Sequence, residues 1–257
     1  MLEPQIGTLW GVSVGPGDPE LLTVKALRLL QESSVVAFPA GRQGQPGVAQ
    51  TIIQPWLSAR QNQIQLPLEF PFVQDAAVLE AAWEKAAQQV WRYLQQGQDV
   101  VFATEGDASF YSTFTYLAQT LQRYHPNASI QTVPGVCSPL AAAAQLGEPL
   151  TILQQRLVVL PTLYAIADLE SALNPGSVVV LMKVASVYAD VWQILQRRSL
   201  LAHSRLIVQA TQADEQIYRD LHDLPQLDLP YFSLLIVDCG PASATTGATH
   251  CSDLRLR

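Results

Sequence analysis

Leu9-Trp10-Gly11-Val12-Ser13-Val14-Gly15-Pro16-Gly17-Asp18-Pro19 joins an apolar run to a small-residue turn and a helix start, the signature of an α/β unit. Leu9–Val14 reads as a strand. It runs into a Gly-Pro-Gly turn, after which Glu20–Gln31 places Leu22, Ala26, Leu29 and Leu30 on one helical face. Asp18 is suited to cap that helix, and Pro19 sits at its first position, where a missing N–H is harmless.

The same rhythm continues outward. Val35–Phe38 reads as a second strand and Pro39 to Gly47 as a Gly/Pro loop. A long helix is expected from about Asp75 to Gln96, stopped by Gly97. Asp99–Thr104 reads as a strand, Phe110–Arg123 as a helix and Ser129–Val133 as a strand, with Ser138 and Pro139 opening the next helix. In the second half, strands are expected at Leu157–Leu160, Val178–Met182, Leu206–Gln209 and Phe232–Val237, with helices between them. Apolar strands alternating with helices predict an α/β protein whose sheets are covered on both faces. The expected division is an N-terminal α/β domain over residues 1–147, a C-terminal α/β domain over 148–243, and a small, polar tail over 244–257.

Composition narrows the function classes. The chain has 257 residues, 49% hydrophobic and 14% charged, so a sizeable core is available and global disorder is not expected. The formal charge of −7 argues against bulk attraction to nucleic acid or anionic membrane. The cysteines, Cys137, Cys239 and Cys251, are odd in number and show no CxxC spacing, which argues against a disulfide framework or zinc site and fits a reducing cytoplasm. The four histidines lack metal-ligand spacing, so no metal site is expected. The N-terminus does not read as a signal peptide, and no apolar run approaches the ~20 residues of a spanning helix.

Three small-residue clusters follow strands, where ligands bind in open α/β sheets. The first is residues 11–19. It is not a dinucleotide fingerprint: Glu20 stands where the third glycine belongs, and no Asp or Glu occurs between Ser33 and Leu68 to hold a ribose. Nor does a GK[ST] follow, as a P-loop requires. The second cluster, Thr104-Glu105-Gly106-Asp107-Ala108-Ser109, offers two carboxylates beside a glycine, suited to a cationic ligand; Asp107 or Ser109 also suits a plain helix cap. The third is Val133-Pro134-Gly135-Val136-Cys137-Ser138-Pro139. Cys137 invites a nucleophile reading, but nothing in the sequence pairs it with a histidine, and a buried free cysteine is the commoner explanation.

In order and spacing these clusters resemble the tetrapyrrole (corrin/porphyrin) methyltransferases. Their opening motif is matched by Gly15-Pro16-Gly17-Asp18-Pro19-Glu20-Leu21-Leu22-Thr23-Val24-Lys25-Ala26, and a GD loop and a PGVxS loop follow. Within that family the chain is most similar to the precorrin-2 C20-methyltransferases, through Phe38-Pro39-Ala40-Gly41-Arg42, Leu66-Pro67-Leu68-Glu69-Phe70-Pro71, Phe110-Tyr111-Ser112-Thr113, Leu181-Met182-Lys183 and Tyr231-Phe232-Ser233-Leu234-Leu235. The acid and base of the related uroporphyrinogen enzymes are not recognisable after the second strand. Glu105 and Ala108 depart from the family's GD loop, where a smaller or apolar residue and a proline are usual.

The resemblance implies a homodimer of two-domain subunits, with S-adenosylmethionine (SAM) in a cleft between the domains and S-adenosylhomocysteine as product. It implies cofactor contacts at Pro16, Glu105, Gly106, Asp107, Phe110, Cys137, Ser138, Thr162, Met182 and Ala210. It implies C20 methylation of precorrin-2 or cobalt-factor II in corrin biosynthesis. The alternatives are another acceptor within the family and a SAM-binding module without catalysis. Direct methyl transfer needs positioning more than proton chemistry, and orientation supplies on the order of 7–11 kcal/mol. Asp107 is the candidate catalytic residue, accepting a proton or steadying positive charge. The acidic tetrapyrrole calls for local cations, for which Arg42 is the first candidate, then Lys25 and Arg60.

Overall fold

The computed structural model describes residues 6–41, 45–57, 63–71, 73, 75–163 and 165–241. They form two compact units. The first runs to Ala141 and also takes in Thr211–Ala213; the second comprises Ala142–Ala210 and the chain from Asp214 onward. The division falls inside a helix, Ser138–Leu146, that ends one residue before the boundary expected at 147. The expected tail, with Arg42 and Arg60, lies outside the described residues.

In the first unit, β1 (Thr8–Ser13), β2 (Val35–Pro39), β3 (Ile64–Leu68), β4 (Val100–Thr104) and β5 (Ser129–Val133) build one sheet in the order β3-β2-β4-β1-β5. Every neighbouring pair is parallel, so all five carboxyl ends meet one edge. Alternate side chains serve opposite faces. Leu9, Val35, Ala37, Val100 and Phe102 pack with α3 (Ala76–Leu94) and α4 (Thr113–Tyr124). Val12, Val36, Phe38, Val101 and Ala103 pack with α1 (Val24–Glu32) and α2 (Val48–Leu57). Val90 and Leu94 of α3 are fully buried, contributing about 1.5–3 kcal/mol each by burial alone.

The helix expected over Glu20–Gln31 is broken. Asp18 does cap, accepting from the Glu20 N–H at 2.8 Å, but only a 3-10 turn, Pro19–Leu21. Leu22 and Thr23 are extended, and Thr23 caps α1 anew by accepting from the Ala26 N–H. Two elements, α2 and β3, were not anticipated. Pro55 inside α2 masks the helical pattern, and Pro67 masks β3, which tolerates it as an edge strand. α4 begins at Thr113 rather than Phe110, because the Ser112 hydroxyl caps it through the Phe114 N–H.

The second unit contains β6 (Arg156–Leu160), β7 (Ser177–Met182), β8 (Ser204–Val208), β9 (Gln216–Tyr218) and β10 (Ser233–Asp238), in the order β6-β7-β10-β8-β9. β6 is parallel to β7, while β10 is antiparallel to β7 and β8. Val179, Leu181, Leu206 and Leu235 pack with α6 (Ile166–Ala172) and α7 (Tyr188–Arg197). Val178, Val180, Ile207 and Leu234 face Ala142 and Leu146 of α5 (Ser138–Leu146). The helix expected between β8 and β10 is replaced by β9, paired antiparallel to β8. The short, half-exposed Gln216–Tyr218 lacks the apolar run that marked the other strands.

Candidate functional site

At the carboxyl edge of the first unit's sheet, the loops after β1, β4 and β5 are joined by specific bonds. β1 lies between β4 and β5, so these loops are neighbours. The Gly106 N–H donates to the Gly15 carbonyl at 2.7 Å, and the Gly15 N–H donates back to the Gly106 carbonyl at 3.2 Å. Buried Ser13 ties all three segments: its hydroxyl donates to the Val133 carbonyl at 2.6 Å and accepts from the Ala108 N–H at 2.8 Å. Asp107 spans two loops. One carboxylate oxygen accepts from the Ser109 N–H at 2.7 Å, and the other from the Gly135 N–H at 2.7 Å. Thr104 and Ser112 hydroxyls lie 2.9 Å apart beneath the loop after β4.

Two glycines are required here for different reasons. A Cβ on Gly135 would stand 2.5 Å from the Ser13 Cβ, so the loop after β5 seats against β1 only because that position lacks a side chain. Gly106 has a φ of +69°, the left-handed region, yet a Cβ built there meets nothing within 4 Å. The space over its α-carbon is open.

Of the residues expected at a cofactor site, Pro16, Gly106, Asp107, Cys137 and Ser138 all lie on these three loops or at the start of α5. The Pro16 carbonyl accepts from the Gln212 side chain at 3.1 Å, and the Asp18 N–H donates to the Thr211 hydroxyl at 3.1 Å. Glu105 is half-buried, and the Phe110 ring lies edge-on to Tyr111 with centroids 4.7 Å apart. Ser138 is the first residue of α5 rather than its cap; the Cys137 carbonyl accepts the Ala141 N–H. Among the described residues, the N–H groups of Val136 and Cys137 make no hydrogen bond. Lys25 is exposed on α1, its ammonium 5.4 Å from the Trp10 ring centroid.

Thr162, Met182 and Ala210 belong to the second unit. Register pairs Leu160 with Leu181, Met182 with Leu234, and Val208 with Ser233. The carboxyl ends of β6, β7 and β8 and the amino end of β10 therefore share an edge, and these three residues gather there. Two non-glycine residues at that edge hold positive φ, Lys183 (57°) and Gln209 (50°), and so does Thr211 (64°) of the first unit. Each costs about 1–2 kcal/mol relative to ordinary backbone. Such outliers persist where the surrounding structure enforces them, and they cluster at functional sites.

Sequence reading missed Ser13, Gly135 as a close approach, and Gln212. A serine inside the mostly apolar run Trp10-Gly11-Val12-Ser13-Val14 was the available signal, because a hydroxyl that such a run buries must find partners. Nothing local pointed to Gln212, which lies far along the chain from Pro16.

Residues 8–225 match the family model described as Tetrapyrrole (Corrin/Porphyrin) Methylases. The chain is 35% identical over 233 residues to a cobalt-precorrin-2 C(20)-methyltransferase of Salmonella typhimurium, covering 90% of this chain and 96% of the relative. It is 30% identical over 245 residues to a precorrin-2 C(20)-methyltransferase of Sinorhizobium sp, covering 90% and 95%. Its fold is similar to that of a uroporphyrin-III C-methyl transferase from Thermus thermophilus complexed with S-adenyl homocysteine, with a TM-score of 0.64, 21% identity and coverage of 90% and 92%. Among the described residues, no helix is long and apolar enough to cross a membrane.

Proposed function

Because this chain belongs to the tetrapyrrole (corrin/porphyrin) methylases, we propose that it is a SAM-dependent C-methyltransferase acting at C20 of precorrin-2 or its cobalt-bearing counterpart, in cobalamin biosynthesis. The observation that carries the proposal is the bonded set of three loops: Gly15 to Gly106, Asp107 to Gly135, and Ser13 to both flanks.

The residues present fit the cofactor. Open space over Gly106 admits a ligand to the backbone, and the Val136 and Cys137 N–H groups supply donors for a carboxylate or a base edge. We assign Pro16, Glu105, Gly106 and Phe110 as first-unit contacts, with Cys137 and Ser138 beside them. Thr162, Met182 and Ala210 are the second unit's contacts. When bound, SAM supplies an activated methyl on a sulfonium to an electron-rich ring carbon. The chain's own contribution is orientation: loops fixed to one another need no reorganisation when ligands arrive. The sequence reading gives Asp107 the role of accepting a proton or steadying positive charge. Both of its oxygens already accept amide hydrogens, which favours a clamp that positions the loops after β4 and β5.

A homodimer, which the family resemblance implies, and a cytoplasmic location, which the cysteine pattern fits, complete the proposal; light scattering tests the first. The deciding experiment is calorimetry with SAM, followed by single-turnover incubation with precorrin-2 and with cobalt-factor II. A product one methyl heavier, modified at C20, is expected. Binding without transfer marks a non-catalytic module, and transfer to another position marks a different acceptor.

A further inference from the structure

We propose that Lys183 is a substrate-positioning residue that holds a carboxylate of the acidic acceptor, presented by a strained turn and an aromatic platform. The inference rests on the methyltransferase reading and deepens it by naming a cation for the substrate.

The second unit's described cations sort by what they already hold. Arg197 reaches Glu170, and Arg198 donates to the Leu173 and Glu170 carbonyls. Arg205 and Arg219 both engage Glu148. Arg156 opens β6, at the end of the strand opposite to Leu160. Lys183 alone among them directly follows the carboxyl end of a strand, one residue after Met182, and no carboxylate among the described residues pairs with it. Its ammonium lies 5.2 Å from the ring centroid of Tyr231, which is 41% exposed. The ring orients the charge without neutralising it, as a cation–π contact does and an ion pair would not.

The backbone adds a second, independent mark. Lys183 has φ 57° and ψ 39°, the left-handed region, where a lysine gains nothing locally and a glycine or asparagine would be at ease. The turn ends β7 and leads into a 3-10 turn, Val184–Val187, while Met182 stays in register with Leu234. Keeping a long cation at a position that favours glycine is explained by a use for the charge. In a protein of formal charge −7, an acceptor bearing many carboxylates needs such a local cation.

The test compares wild-type protein with Lys183→Gly, Lys183→Asn and Lys183→Arg. Gly and Asn remove the charge at a position they adopt readily, so folding is preserved. Binding of factor II, the oxidised polycarboxylate form of precorrin-2, is followed by absorbance at low and physiological salt, and SAM binding by calorimetry. Gly and Asn should weaken factor II about tenfold and flatten its salt dependence, with SAM affinity unchanged and thermal stability unchanged or higher. Arg should stay within about threefold of wild type. A merely structural lysine would not separate acceptor binding from stability in this way. Unchanged factor II affinity and salt slope in Lys183→Gly, in protein that binds both ligands, overturns the assignment alone. Wild-type protein that binds SAM but no factor II overturns the acceptor reading with it.

Discussion

Replacing Asp107 by Asn separates a clamp from a proton acceptor. The carboxylate now receives two amide hydrogens at 2.7 Å each, one from its own loop and one from Gly135 in the next. Asparagine keeps one oxygen and turns an NH₂ toward the other amide, so one bond is lost and two donors face each other. A hydrogen bond to a charged group is worth roughly 1.5–3 kcal/mol. Asp107 is half-buried, and water screens and partly replaces the lost acceptor, which brings the expected loss to about 1–2 kcal/mol. For a chain of this size that lowers Tm by about 2–8 °C. Because the loops are the proposed cofactor contacts, the same loss of order should weaken SAM about tenfold, the equivalent of ~1.4 kcal/mol. Calorimetry measures the affinity, scanning calorimetry the Tm, and single-turnover transfer at saturating SAM the chemistry. A variant with wild-type SAM affinity and Tm, but transfer slowed a hundredfold, would refute the clamp and restore the proton-accepting role.

The two loop glycines should fail differently. Gly135→Ala forces a methyl against Ser13 and should cost about 1–3 kcal/mol in denaturant melts, with SAM binding lost alongside. Gly106→Ala meets no atom and should cost about 1–2 kcal/mol for its φ, yet lose more than that in SAM affinity, because the methyl enters the space assigned to the ligand; equal stability and affinity losses would contradict that assignment. Burial pushes the Tyr188 hydroxyl from 10.0 up to about 12, and burial, with Asp238's charge adding, pushes the Cys239 thiol from 9.0 up to about 11. Unfolded chains ionise these groups first, so their stabilisation is complete below about pH 9 and fades between about 9 and 12; a denaturation midpoint that rises across that window would contradict the sign.

The central strands of the first sheet, β1, β2 and β4, were legible because they are buried on both faces, and the resulting apolar runs stand out from the amphipathic helices. Where proline interrupted the pattern, at Pro55 and Pro67, the elements were missed although tertiary packing supports both. β9 escaped because three half-exposed residues carry no periodicity. For the candidate site, the small-residue clusters announced the loops, and their order in the chain announced the family. How the loops are fastened was not legible. Ser13 bonds to Val133 at the end of β5 and to Ala108 in the loop after β4, and Asp107 bonds to Gly135 in the loop after β5; such pairings depend on strand order rather than on neighbouring sequence.

Thr211–Ala213 follow β8 in the chain, yet they belong to the first unit, where Gln212 bonds the Pro16 carbonyl and Thr211 the Asp18 amide. The first unit is therefore not a contiguous stretch of polypeptide. A gene fragment ending near residue 141 would encode the whole five-stranded sheet but leave the Gly15-Pro16-Gly17 loop without two of its fasteners. Evolutionary shuffling or laboratory swapping of the halves would have to carry this short return segment along with its distant host.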